Sequence, residues 1–315
     1  MGTNGPVLAL SGGVGGAKLA LGLYRILPPD TLTIVANTGD DFEHLGLSIS
    51  PDLDTLLYTL SGQSNVELGW GRQGETWTFM AALEKLGGES WFRLGDGDLA
   101  THVERTRRLA AGEPLSAIID DFRCRFDIAA RLLPMSDDRV RTRLDTDNGQ
   151  LDFQDYFVRL RCEPVVRRLA FAGNDAARPH PDFVAALANP TLRAVVICPS
   201  NPFISIDPIL AVPGVREALR HSRAPVVAVS PIIGGKAVKG PTAKMMEELG
   251  LPVDAAAIAR YYCDFLDIYV ADEVDRDAVS GLDLPVVLTP TLMVTLGDRE
   301  ALARTVLNAA DRVRG

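Results

Sequence analysis

Short apolar runs, each ending in a polar or glycine-rich turn, most constrain the fold. They are VLAL at residues 7–10, LTIVA at Leu32–Ala36, AVVI at Ala194–Ile197, PVVAV at residues 225–229 and IYVA at Ile268–Ala271, with a shorter one at Val286 and Val287. Runs of four or five residues that are apolar throughout and rich in β-branched side chains read as strands buried on both faces, as in a parallel sheet covered by helices. Helical periodicity follows the first run over residues 19–27, closed by Pro28 and Pro29, and returns over residues 299–312. The expectation is an α/β chain with a Rossmann-like three-layer core and a mainly parallel sheet.

Between residues 62 and 181 this rhythm is lost. Helical periodicity covers residues 76–86, 98–111 and 114–122, with a short β element near residues 141–153. That is too long for a loop. The division expected is a nucleotide-binding core of residues 1–61 and 182–315, with residues 62–181 a mainly helical insertion capping the sheet edge.

The first strand runs into SGGVGGAK. Gly12, Gly13, Gly15 and Gly16 permit a tight turn and close backbone approach, and the helix that follows would aim free N–H groups at an anion. Its spacing is neither GxGxxG nor the Walker pattern. Two further strands lead into turns at residues 199–203, containing Ser200 and Asn201, and at residues 231–240, containing Gly234, Gly235 and Gly240 with Lys236 and Lys239. In a parallel sheet all three turns share one edge, which favours a phosphate-bearing ligand.

Asp40 and Asp41 end the second strand, and Asp52 and Asp54 start the next helix. Capping accounts for one of the latter two and predicts an exposed carboxylate there. Four carboxylates at one sheet edge instead suit a hard cation, with Mg²⁺ beside a diphosphate the expectation. His102 is the only histidine inside a polar string, DLATH, and the aromatic residues Trp70, Trp77 and Trp91 would either pack in a core or stack on a flat heterocycle.

The chain has 315 residues, 47% hydrophobic and 23% charged, with formal net charge −9. This argues against a general nucleic-acid or anionic-membrane binder. No apolar run approaches the roughly 20 residues of a membrane span. Residues 7–10 are too short for a signal-peptide core, and Cys124, Cys162, Cys198 and Cys263 form no CxxC pair, as expected of a cytoplasmic protein with reduced thiols.

The strings SGGVGGAK, NTGDD, SPDLDTLLY, WGRQGETW, LGDGDLATH, LLPMSDD, LDFQDYF, PSNPFISI and SPIIGGKAVKGP occur in an order that resembles the 2-phospho-L-lactate transferase family of coenzyme F-420 biosynthesis. The resemblance runs from about Val7 to Asp275. It implies Mg²⁺-dependent transfer of a phospho-acid, phospholactyl or phosphoenolpyruvyl, from a guanosine diphospho-linked donor to the ribityl hydroxyl of Fo, the 7,8-didemethyl-8-hydroxy-5-deazariboflavin acceptor. GMP is released, and a homodimer is implied. Asp54 of PDLDT and Arg93 of RLGD map onto positions that contact Fo. Asp40 and Asp54 would hold Mg²⁺, with Asp54 also orienting or deprotonating the attacking hydroxyl. Gly12, Gly13 and Gly15 would lie against the diphosphate. Ser200, Asn201, Gly234, Gly235 and Lys239 would hold the guanosine diphosphate. Gly97 in LGDGD stands where family members carry a bulkier polar residue, so no contact is expected there. The alternative is a non-catalytic nucleotide-sugar-binding regulator of the gluconeogenesis-factor type, which shares the glycine turn and which PDLDT and LPMSDD disfavour. An NAD(P)-dependent oxidoreductase would need the missing GxGxxG.

Overall fold

The computed structural model of the protein describes residues 5–313. Among them, seven parallel strands build one sheet: β1 (Val7–Ser11), β2 (Leu32–Ala36), β3 (Arg131–Pro134), β4 (Ala194–Ile197), β5 (Val226–Val229), β6 (Ile268–Ala271) and β7 (Val286–Leu288). Their spatial order is β7-β6-β5-β4-β1-β2-β3. The order reverses between β1 and β4, and the crevice outside the carboxyl ends of these two strands is where ligands bind in doubly wound sheets.

The apolar runs supply both faces because successive strand residues point to opposite sides. Val7 and Ala9 of β1 join one core, which includes Leu19 and Leu23 of helix α1 (Gly13–Ile26), Leu53 and Leu57 of α2 (Pro51–Leu60) and Val306 of the last helix (Leu296–Val313). Leu8 and Leu10 join the other, with Phe203, Ile209, Met245 and Ile258. The three-layer Rossmann-like expectation therefore holds.

The stretch 62–181 is more closely tied to the core than expected. Its helices appear as Thr78–Lys85, α3 (Asp96–Ala110) and α4 (Leu115–Arg125), but Arg131–Pro134 is β3 itself, paired in parallel with β2. The four-residue run RLLP begins with an exposed arginine and ends in proline, so it carries little strand signal. The β element is also larger: Arg141–Thr146 pairs with both Gly149–Asp152 and Val166–Ala172 in a three-stranded antiparallel sheet. A further hairpin, Phe42–His44 with Leu47–Ile49, follows the NTGDD turn.

Helix α1 lies against the last helix, and Gly22 is a point of close approach between them. A Cβ on Gly22 would collide with the main-chain carbonyl of Arg299. One turn earlier, Lys18 donates to the Met293 carbonyl at 3.0 Å. Backbone opposite backbone leaves no side chain to rotate away. Gly22→Ala should therefore destabilise the protein by about 1–3 kcal/mol despite its higher helix propensity, as read by urea denaturation; a stabilised variant would show that the two helices separate freely.

Candidate active site

The glycine turn sits at the switch point, and two of its N–H groups, those of Gly12 and Gly13, already have side-chain partners. Gly12 donates to Ser200 Oγ at 3.1 Å, and that hydroxyl donates back to the Gly12 carbonyl at 2.8 Å. Gly13, whose φ of 63° falls in the left-handed region, donates to Asp52 Oδ1 at 2.7 Å. Much of the glycine content serves packing. A Cβ on Gly15 would meet the Pro199 carbonyl and one on Gly16 the Ser200 and Ser11 hydroxyls, so α1 can approach the turn after β4 closely only without side chains there.

Asp52 ties three elements together. Besides Gly13 at the start of α1, its Oδ2 accepts from Asn37 Nδ2 at 2.9 Å, at the end of β2. The Asn37 amide also donates to the Ile204 carbonyl at 3.1 Å, while its Oδ1 accepts from Gly39 N at 2.7 Å. Asp52 is thus no ordinary cap: both oxygens leave its own helix. Burial pushes its carboxyl up to about 6, against these hydrogen bonds.

Asp40 and Asp41 are buried beside it, 6% exposed each. Burial raises the Asp40 carboxyl well above the usual range, and the charge of Asp52 raises it further. Burial lifts Asp41 to about 7, although Arg141, the Ser50 hydroxyl and Arg105 all favour its ionised form. Ser50 Oγ donates to Asp41 Oδ2 at 2.7 Å, but Oδ1 of Asp41 and Oδ1 of Asp40 are buried without a hydrogen-bond partner among the described residues.

Asp54 differs from its expected setting. It is buried, not exposed, and both oxygens accept from the fully buried guanidinium of Arg105, on α3; the Nη1 to Oδ2 distance is 3.1 Å. Arg105 Nη1 also reaches the Ser48 carbonyl at 3.3 Å. His102 lies 3.6 Å from Asp54 through Nδ1 and 3.2 Å from Asp98 through Nε2. Tyr58 donates to Asp98 Oδ1 at 2.6 Å. Burial opposes ionisation of Asp98, but the hydrogen bond and charge of His102 outweigh it and hold the carboxyl below its usual range. Asp54, Asp98 and His102 bring one potential ligand atom each within 4.8 Å of one another, yet a guanidinium already neutralises Asp54 there.

The other expected residues are placed as follows. Ser200 clamps the glycine turn, and Asn201 Oδ1 caps the helical turn Pro202–Ile206 by accepting from Phe203 N at 2.9 Å. Gly234 and Gly235 form the tip of a β-hairpin, both at positive φ, and Gly234 N donates to Asp275 Oδ1 at 3.0 Å. Lys239 Nζ donates to the Gly69 carbonyl at 2.8 Å, joining this turn to the insertion. Arg93 is exposed with its guanidinium 4.5 Å over the Trp77 ring, and Trp70 meets Trp77 edge-on at 6.5 Å. The carboxylates therefore gather with Asn37 and Arg105, while Arg93 stands on the surface.

Sequence reasoning missed Arg105, Asn37, Asp98 and Tyr58. A signal was present for two of them. Asp98, His102 and Arg105 follow at intervals of four and three, one helical face, and a polar face on a helix packed against a core marks a buried network.

Residues 7–282 match the family described as 2-phospho-L-lactate transferase CofD. The chain is 40% identical to a phosphoenolpyruvate transferase of Streptomyces griseus over 317 residues, covering 98% of this chain and 99% of that protein. It is also 40% identical to a 2-phospho-L-lactate transferase of Methanosarcina mazei over 306 residues, 96% of this chain and 100% of that one. The fold is shared with a UPF0052-family protein of Bacillus halodurans at TM-score 0.63, 14% identity, and 96% and 99% coverage. With a family match over residues 7–282 and relatives 40% identical over nearly the whole length, the chain belongs to the 2-phospho-L-lactate transferase family, transferases of coenzyme F-420 biosynthesis.

Proposed function

We propose that this chain transfers a phospho-acid, phospholactyl or phosphoenolpyruvyl, from a guanosine diphospho-linked donor to the ribityl hydroxyl of Fo. The hydroxyl oxygen bonds to the phosphorus that carries the acid. The bond from that phosphorus to the bridging oxygen breaks, GMP leaves with that oxygen, and the hydroxyl proton passes to solvent. Such a transfer asks a protein for positioning and charge neutralisation more than for covalent chemistry.

The observation that carries this reading is the cluster of buried carboxyl groups at the switch point, whose burial disfavours their ionised form until a cation joins them. Asp40, Asp41 and Asp52 are all raised, and two of their oxygens lack partners. A donor set of carboxylate oxygens suits Mg²⁺. Asp40 and Asp54 would hold it, Asp54 through lone pairs that Arg105 leaves free; Asp40, Asp41 and Asp54 do not together bring one oxygen each within 4.8 Å of one another among the described residues. When bound, the ion would offset the charge of the donor's diphosphate and of the departing GMP.

Both oxygens of Asp54 are engaged by Arg105, so its part is to orient the acceptor hydroxyl. Arg93 over Trp77, flanked by Trp70, offers an aromatic and cationic platform for the deazaflavin ring. Ser200 and the turns bearing Gly12, Gly13, Gly15, Asn201, Gly234, Gly235 and Lys239 frame the donor side. Assembly as a homodimer belongs to the same reading and is measured by light scattering.

Incubation of the protein with Fo, Mg²⁺ and either donor should release GMP in step with the phospho-acid product, seen by mass spectrometry, and chelation should stop it. No GMP from any such donor would sink the reading. Asp40→Asn should lower kcat/KM by roughly 100-fold without lowering the melting temperature, since it removes a buried carboxylate next to Asp52. Asp54→Ala should instead destabilise the fold by about 3–5 kcal/mol, because it leaves the Arg105 charge buried and alone.

Asp41 gives a pH signature. Its carboxyl titrates near 7 in the folded protein against an ordinary value of 3.8, so between those values the folded state holds more protons than the unfolded one. Stability then falls as pH rises through this window. Without divalent cations, the advantage of Asp41→Asn over the wild type should grow from pH 4 to 7, and Mg²⁺ should shrink it; parallel pH–stability curves would refute this.

A further inference from the structure

A cavity of about 310 Å³ opens beside Asp40 and Asp41, between the 42–49 hairpin, Trp91 and the start of the strand Arg141–Thr146. Five of its lining residues carry a buried side-chain atom without a hydrogen-bond partner: Asp40 Oδ1, Asp41 Oδ1, His44 Nε2, Thr142 Oγ1 and Arg141 Nε. Buried polar atoms are nearly always paired, so such a concentration on one cavity marks a place built for a polar ligand.

The cavity is polar in two ways. Asp40 and Asp41 form an acidic wall. Four arginines also line it, and three of them face carboxylates: Arg139 with Glu43 at 3.6 Å, Arg143 with Asp152, and Arg159 with Asp155 at 3.4 Å. Arg141 differs. Its Nη1 donates to the carbonyls of Val140, at 2.7 Å, and Thr38, at 3.3 Å, and no carboxylate comes within ion-pair distance among the described residues. Carbonyls orient a guanidinium without neutralising it. A guanidinium that lines the cavity in no close ion pair, with Asp41 and Glu43 acting on it only from beyond that distance, is suited to receive a carboxylate in a bidentate pair.

The geometry points to Arg141 as the residue that reads the carboxylate of the acid carried by the donor, with the acid seated in this cavity. The assignment rests on the transferase reading above and deepens it. A phospho-acid has two anionic ends. Its phosphate would face the acidic wall, where the cation of that reading neutralises it, and its carboxylate would face Arg141. The volume is small for a nucleotide and sits at the lower end of ligand-pocket sizes. Trp91, edge-on to His44 at 5.0 Å, supplies an apolar wall for the methyl or methylene carbon of the acid.

The test compares guanosine diphospho-lactate with guanosine diphospho-ethanol, which lacks the carboxylate, in wild type and Arg141→Gln. Turnover with Fo and calorimetric binding without Fo are both measured. The ratio of kcat/KM for the two donors should fall by roughly 30-fold or more in the variant, with the KM for Fo unchanged. Binding of the carboxylated donor should weaken by a similar factor. Arg141→Lys, which keeps the charge but not the fork, should recover part of the ratio, and it decides the matter if the glutamine variant does not fold. An unchanged donor ratio, or an effect on Fo alone, overturns the assignment while leaving the transferase reading intact. Failure of the wild type to release GMP from either donor overturns both.

Discussion

The buried pair between Asp54 and Arg105 is the contact on which the site depends. Arg105 comes from α3, in the long stretch between the second and fourth sheet strands, while Asp54 comes from α2, in the core. Removing both charges from water is expensive, and their attraction repays it only with complete hydrogen bonding. Asp54 supplies the bidentate part and the Ser48 carbonyl adds to it. The pair therefore works as a key: α3 can seat against α2 and the 42–49 hairpin in one arrangement, and others would strand a charge. His102, Asp98 and Tyr58 extend the same network along α3.

The remaining carboxylates have no such counterion. Asp52 has an organising role through Gly13 and Asn37, which join the start of α1 to the end of β2. The anion expected at the first helix start is thus in part the protein's own carboxylate. Asp40 and Asp41 are left as the reactive part of the cluster, buried beside a cavity and raised, each with an oxygen that has no hydrogen-bond partner among the described residues. The site divides into a settled half, around Arg105 and Asn37, and an unsettled half that a ligand would complete.

Most of the sheet was legible because a strand covered on both faces must be apolar at every position, and few other segments meet that condition. Strand β3 escaped because a polar end and a proline break its four-residue run. The first glycine turn was recognisable, but the work of each glycine was not: whether Gly15 and Gly16 face a ligand or the turn after β4 depends on where β4 lies, which is a fact of topology. Gly234 and Gly235 read as a phosphate loop and serve as a hairpin tip for the same reason. The carboxylates were gathered correctly at one edge, yet Asp54 was expected exposed. Its burial follows from a partner 51 residues away in sequence, and no local pattern reveals such a pairing.

The close crossing of α1 and the last helix gives the carboxyl-terminal segment a meaning that its sequence hides. The residues from Met293 onward lie past the family match, which ends at residue 282, yet they hold the helix whose first turn forms the glycine loop. That segment is a splint. At Lys18 and Gly22 it offers α1 a main-chain carbonyl, while Leu302, Val306 and Leu307 pack into the same core as Leu19 and Leu23. Its service to the reaction is mechanical, exerted along the length of one helix, and it would leave no trace in a comparison of active-site motifs.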